Sequence, residues 1–223
     1  MEKILQKAIE QGRKSLSEYD SKMIIQSAGV PITLEKLASS REEAVALAQE
    51  IGYPVALKGC SGALAHKTEL GIVKLNLTSA DTVREAYDDI TGRVTEMDGV
   101  LVQEMIKGNR EFVIGLTRDP QFGPCVMFGI GGIFTEVMKD VSFRVAPLTE
   151  EDAEEMLEEI KMKKLLGEFR GAPAVDRRQL VRALVGIGDL ALKHEEIAEI
   201  DINPLIILKD KPVAADALVI LAG

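Results

Sequence analysis

The 223 residues carry a net charge of −9 with a pI near 4.9, and 46% of them are hydrophobic against 28% charged, which suits one large domain or two small units sharing a cleft. The acidic balance excludes a general nucleic-acid binder, which would present a basic face, yet a few local cations suffice for a nucleotide. Cys60 and Cys125 are too few for a disulfide framework and match no zinc spacing, and no apolar run reaches membrane-spanning length, so a soluble chain in a reducing cytoplasm, with no membrane partner, is expected.

In chain order, Met1–Ile9 predicts an amphipathic helix unlike a signal peptide. Ser17-x-x-Asp20 and Ser40-x-x-Glu43 mark helix starts, the second opening a stripe of Ala44, Val45, Ala48 and Ile51 that stops at Gly52. Tyr53-Pro-Val-Ala-Leu-Lys58 reads as a short buried strand. Val83, Ala86, Tyr87, Ile90, Val94 and Met97 keep helical spacing, and Gly99–Glu104 and Glu111–Thr117 follow as consecutive strands. Thr149-x-x-Asp152 opens a helix with Ala153, Met156, Leu157 and Ile160 on its apolar face, and a last helix around 176–193, with His194 complementing its C-terminal dipole, precedes two closing strands. Mixed helices with consecutive strands exclude a regular doubly wound sheet. The expected class is α+β or α/β, with an N-terminal helix and smaller unit over residues 1–98 and a larger, mostly antiparallel unit over 99–223.

Ile197-Ala-Glu-Ile-Asp-Ile-Asn203-Pro-Leu carries the strongest chemical signal, because a strand sends alternate side chains to opposite faces. Glu199, Asp201 and Asn203 then share one face and Ile200 and Ile202 the other. Three oxygen-bearing side chains in a row require a metal, cations or hydrogen-bond donors, unless this is an edge strand with a solvated face. The second apolar run, Val213–Ile220, carries the lone acid Asp216, a place suited to Mg²⁺ holding nucleotide phosphates.

Other candidates are spread along the chain. Lys58 ends a buried strand beside the loop Gly59-Cys-Ser-Gly62-Ala-Leu-Ala-His66-Lys67-Thr68, where backbone N–H groups and an ammonium suit an oxyanion; His66 in place of Gly before Lys67 excludes a P-loop. His66 suits a relay or acceptor of a phosphoryl group, and a surface histidine capping a turn is its plain alternative. Gln103-Glu104-Met105-Ile106 forms a hinge whose backbone and apolar side chains suit a purine edge, and Glu111 can reach ribose or a phosphate-bound metal. Gly129-Ile-Gly131-Gly132-Ile-Phe-Thr-Glu136 suits a mobile loop or a close backbone approach better than a strand. Arg144 is a candidate anion contact, or else a surface ion pair.

Taken in order, the Lys58 strand, the His66-Lys67-Thr68-Glu69-x-Gly71 loop, the Gln103-Glu104 hinge, Glu111, Gly131-Gly132 and Glu199-x-Asp-x-Asn203-Pro resemble the ATP-grasp domain of NDP-forming acyl-CoA synthetases, most closely the separate β subunit of ADP-forming acetate–CoA ligase. The resemblance spans nearly the whole chain. It implies an ATP-grasp fold with ATP or ADP in a cleft between two subdomains. Lys58 and Gly59 would then meet phosphate, Glu104, Met105 and Ile106 the adenine edge, and Glu111 the ribose or phosphates, with Arg144 a further possible cation. Asn203 and Asp216 match the Mg²⁺ positions of related succinate–CoA ligase β subunits, Asp201 standing behind them, and His66 sits where a phosphoryl group is received or relayed. The CoA-binding and phosphohistidine domains would come from a separate α subunit, and the family suggests a heterotetramer. The rival readings are an ATP-grasp carboxylate–amine ligase, which forms no phosphohistidine, and a non-catalytic nucleotide-sensing module of an acyltransferase.

Overall fold

A computed structural model describes residues 1–62, 71–94, 96–132 and 140–222. Helix α1 (Glu2–Glu10) buries Leu5 and Ala8, three residues apart on one face, and α2 (Glu18–Ser27) starts where the Ser17 hydroxyl accepts the Asp20 N–H. Both pack into the core of the C-terminal half, with Leu5, Leu16, Ile24 and Ile25 in one cluster with Phe112 and Ile200.

The small unit follows as β1 (Glu35–Ala38), α3 (Arg41–Ile51), β2 (Val55–Cys60), β3 (Val73–Leu77), α4 (Ala80–Arg93) and β4 (Gly99–Glu104). Its sheet runs β1-β4-β2-β3, every pair antiparallel. Ser40 and Ser79 cap α3 and α4, a contact worth about 1 kcal/mol each. Ala44, Ala48, Val83 and Ile90 of these helices cover Val55, Leu57, Val100 and Val102 on one face of the sheet. Ala56, Lys58, Leu101 and Gln103 therefore face the other way, toward the large unit. Helix α4 ends at Arg93, earlier than the stripe through Met97 predicts, because Val94 is extended.

The predicted boundary at 98/99 is corrected by this sheet. Strand β4 pairs with both β1 and β2, so the chain leaves the small unit after Glu104, and residues 1–34 belong to the large unit's core. Periodicity identifies a strand but not its partner, which is why the boundary fell one strand early.

The large unit comprises β5 (Glu111–Asp119), β6 (Gly123–Ile130), β7 (Val141–Val145), α5 (Glu150–Glu159), α6 (Arg177–Lys193), β8 (Ile197–Leu208), β9 (Lys211–Ala214) and β10 (Leu218–Leu221). The antiparallel order is β10-β8-β5-β6-β7, with β9 also on β8. Helices α5 and α6 cover one face, whose core includes Phe112 stacked on Phe128 at 5.4 Å between ring centroids. Gly129 and Ile130 end β6, so this part is strand and not loop, but the close-approach alternative holds at Gly129, where a Cβ would lie 2.6 Å from Val141 Cγ1. Residues 133–139, including Glu136, lie outside the described residues. Among the described residues no helix is long and apolar enough to cross a membrane.

Candidate nucleotide and metal site

Strand β8 presents the expected alternation. Ile200 and Ile202 are buried, whereas Glu199, Asp201 and Asn203 are exposed on the face away from α5 and α6. Pairing with β5 sets Ile114 opposite Ile202 but Phe112 opposite Leu205, so a bulge falls at Asn203-Pro204. Proline has no N–H to give to a ladder, and bulges commonly re-aim a side chain beside a site.

The closing apolar run is not one strand. β9 and β10 lie along the same edge of β8, and the chain between them is irregular opposite the bulge. Ala214 pairs with Leu205 and Leu218 with Asp201, so the register on both sides of the gap sets Asp216 opposite Asn203. The Ala215 N–H donates to the Pro204 carbonyl at 3.0 Å, closing the gap. Asp201 stays solvent-accessible, yet its carboxyl is pushed above the usual range, first by burial among its surroundings and then by the negative charge of Asp216. Two crowded carboxylates beside a carboxamide fit Mg²⁺, which takes one or two carboxylates and completes its shell with phosphate oxygens and water. Among the described residues no three His, Cys, Asp or Glu side chains converge as an all-protein metal cage.

Glu111 starts β5 on the same face of the strand as Gly115, the partner of Asp201. The Gly131 N–H donates to its carbonyl at 2.8 Å, and a Cβ at Gly132, where φ is +69°, would come 2.6 Å from Glu111 Oε2. Gly132 thus serves both a left-handed backbone and the room for this carboxylate.

Lys58 is buried on the small sheet, facing the large unit. Its Nζ donates to Glu18 Oε1 at 2.6 Å and to the Ala215 carbonyl at 3.1 Å. An ammonium has three donors, so at most one remains for a phosphate. Gly59 is held by the N–H donation to Ile72 O at 2.9 Å. At the hinge, the Glu104 carboxylate accepts the Leu34 N–H at 2.7 Å and the Met105 N–H donates to Pro54 O at 3.3 Å; Met105 and Ile106 are half-buried, as apolar walls require.

Arg144 is corrected. It pairs with Val126, which is in the core beneath α5 and α6, so it lies on the opposite face from Asp201 and Asn203. There its guanidinium meets Glu159 at 2.6 Å and Glu155 at 3.1 Å, contacts that strengthen its hold on its proton. His66 lies outside the described residues, as do Lys67, Thr68 and Glu69. His194 caps α6, with Nδ1 3.0 Å from Glu196 Oε1.

Sequence reading missed a buried polar cluster beside Lys58. Lys22 Nζ lies 2.6 Å from Glu35 Oε2 and 3.1 Å from Glu18 Oε1, and it also donates to Thr33 Oγ1 and Gln103 Oε1 at 3.2 and 3.3 Å. Burial raises the Glu35 carboxyl, while the Lys22 charge opposes the rise. A signal was present: Glu18, Lys22 and Ile25 share one helical stripe, which puts two charges on the face that buries Ile25.

Residues 7–221 match the family model described as the ATP-grasp domain. The chain belongs to the ATP-grasp family. The β subunit of ADP-forming acetate–CoA ligase I from Pyrococcus furiosus is 44% identical over 224 residues, 98% of this chain and 96% of that one, so the chain belongs with these β subunits. A Ca. Korarchaeum cryptofilum dinucleotide forming acetyl-coenzyme A synthetase 1 in complex with coenzyme A, Ca-AMPCP and HgCl+ superposes with TM-score 0.93 at 49% identity, covering 99% of both chains. The same enzyme with coenzyme A and Mg-AMPPCP, its phosphohistidine segment pointing towards the nucleotide binding site, matches with TM-score 0.87 at 48% identity over 99% of both chains. The family and fold expected from the sequence are those found.

Proposed function

We propose that this chain is the nucleotide-binding subunit of an ADP-forming acyl-CoA synthetase of the acetyl-CoA type, passing a phosphoryl group between a phosphohistidine and Mg·ADP. The P–N bond to the histidine breaks as a P–O bond forms to the terminal oxygen of ADP, giving histidine and ATP; the reverse reaction phosphorylates the histidine. The full-length likeness to acetate–CoA ligase β subunits carries this reading. Because such transfer rests on positioning and charge neutralisation, each residue has a stated task. Lys58 supplies positive charge at the phosphates, Glu104–Ile106 border the adenine, and Glu111 orients the ribose or phosphate region. Asn203 and Asp216 would hold Mg²⁺, with Asp201 beside them, and the ion would neutralise phosphate charge. His66 relays the phosphoryl group. The CoA-binding and phosphohistidine domains belong to a separate α subunit, in a heterotetramer.

Calorimetric titration of ADP into the chain, with and without Mg²⁺, tests the nucleotide half of this reading. Binding that Mg²⁺ strengthens, with the gain lost in Asn203→Ala, is expected. Absence of nucleotide binding in the folded chain overturns it.

A further inference from the structure

We infer that Gln103 is a positioning residue for Asp216, acting from the small unit across the cleft; this rests on the metal reading above. Gln103 is 4% exposed, and its amide can be oriented in only one way. Its Oε1 accepts from Lys22 Nζ at 3.3 Å, an ammonium that can only donate, and its Nε2 donates to the Ala215 carbonyl at 3.1 Å, which can only accept. Among the side chains of this length only glutamine offers both. Ala215 directly precedes Asp216, and its own N–H is tied to Pro204, directly after Asn203. Lys58 Nζ donates to the same carbonyl. The irregular stretch between β9 and β10 is thus pinned by its neighbour in the sheet and by two donors from the small unit. Asp216 follows directly on this doubly held carbonyl, so the two donors help set how Asp216 faces Asn203. Partners that orient a metal ligand typically change metal affinity about 10–100-fold when removed.

The test uses Gln103→Glu and Gln103→Met in the full chain. Glutamate keeps the acceptor toward Lys22 but sets an oxygen against the Ala215 carbonyl; methionine keeps the volume and loses both bonds. Mn²⁺ binding in the presence of ADP, followed by electron paramagnetic resonance, is expected to weaken about tenfold in both. Mn²⁺ affinity is compared at saturating ADP, and the far-ultraviolet spectrum remains that of the wild type. A merely structural role would lower stability and leave the Mn²⁺ affinity of the folded protein unmoved. In the wild-type chain, Mg²⁺ added with ADP is expected to shift the Gln103 side-chain amide resonance, a readout that needs no variant. Wild-type Mn²⁺ affinity in either folded variant, or an unmoved amide resonance, overturns the inference alone. A wild-type chain that binds ADP with no response to Mn²⁺ overturns the metal reading beneath it.

Discussion

Replacing Lys22 by methionine probes the buried charge network on which the cleft is built. Lys22 is fully buried and its ammonium has four oxygen partners: Glu35, Glu18, Thr33 and Gln103. After the change Glu18 keeps Lys58 at 2.6 Å, so one carboxylate stays neutralised. Glu35 keeps only the Thr33 hydroxyl, at 2.9 Å, among its described side-chain partners, and its Oε1 has none. Leaving one buried charge uncompensated costs about 3–5 kcal/mol, whereas removing both partners of such a pair is often neutral. Urea unfolding at neutral pH is therefore expected to show a loss of about 3–5 kcal/mol for Lys22→Met, and a much smaller one for Lys22→Met with Glu35→Gln. The pH dependence fixes the cause. Without Lys22, only the Thr33 hydrogen bond opposes the rise that burial imposes on Glu35, so its folded pKa moves further above the ordinary 4.5. A raised carboxylate favours folding fully only below its unfolded value, and that contribution is lost as pH rises through the folded value. The deficit of Lys22→Met should thus shrink as pH falls toward 4.5 and be largest at neutral pH. A deficit under about 1 kcal/mol, or one that does not vary with pH, would rule out an uncompensated Glu35 charge as the cause.

Two further outcomes follow from the same geometry. Arg144→Ala should leave ADP affinity unchanged in calorimetry and cost only about 1 kcal/mol in denaturant unfolding, since its partners Glu155 and Glu159 lie on the helix-covered side; weakened nucleotide binding would return Arg144 to the site. His66→Ala should bind ADP normally yet transfer no phosphoryl group with the partner present, whereas a parallel loss of affinity and transfer would deny it the relay role.

The legible part of this chain was the part written in local alternation. Ile200 and Ile202 between Glu199, Asp201 and Asn203 force one answer, and Ser17, Ser40 and Thr149 mark helix starts because a hydroxyl must meet an N–H there. Sheet pairing was not legible, so β4 went to the wrong unit. Nor was the break at Asp216, because β9 and β10 are split by a bulge on their neighbour. Arg144 misled for a specific reason. In β7 the apolar Phe143 and Val145 stand on the open face, 51% and 46% exposed, while Ser142 and Arg144 turn toward the helices, the reverse of the usual pattern. Gln103 was visible only as part of a hinge, because its role depends on Lys22 and Ala215, 81 and 112 residues away.

Exchange of a phosphoryl group between nucleotide and a histidine can be read by incubating the chain with γ-phosphate-labelled ATP and Mg²⁺, with and without an α subunit, and measuring the acid and base stability of any label on protein. The expected result is an acid-labile, base-stable label that requires the partner, Asn203 and Asp216, and that ADP discharges. An assembled complex that binds Mg·ATP tightly and takes up no label would contradict it.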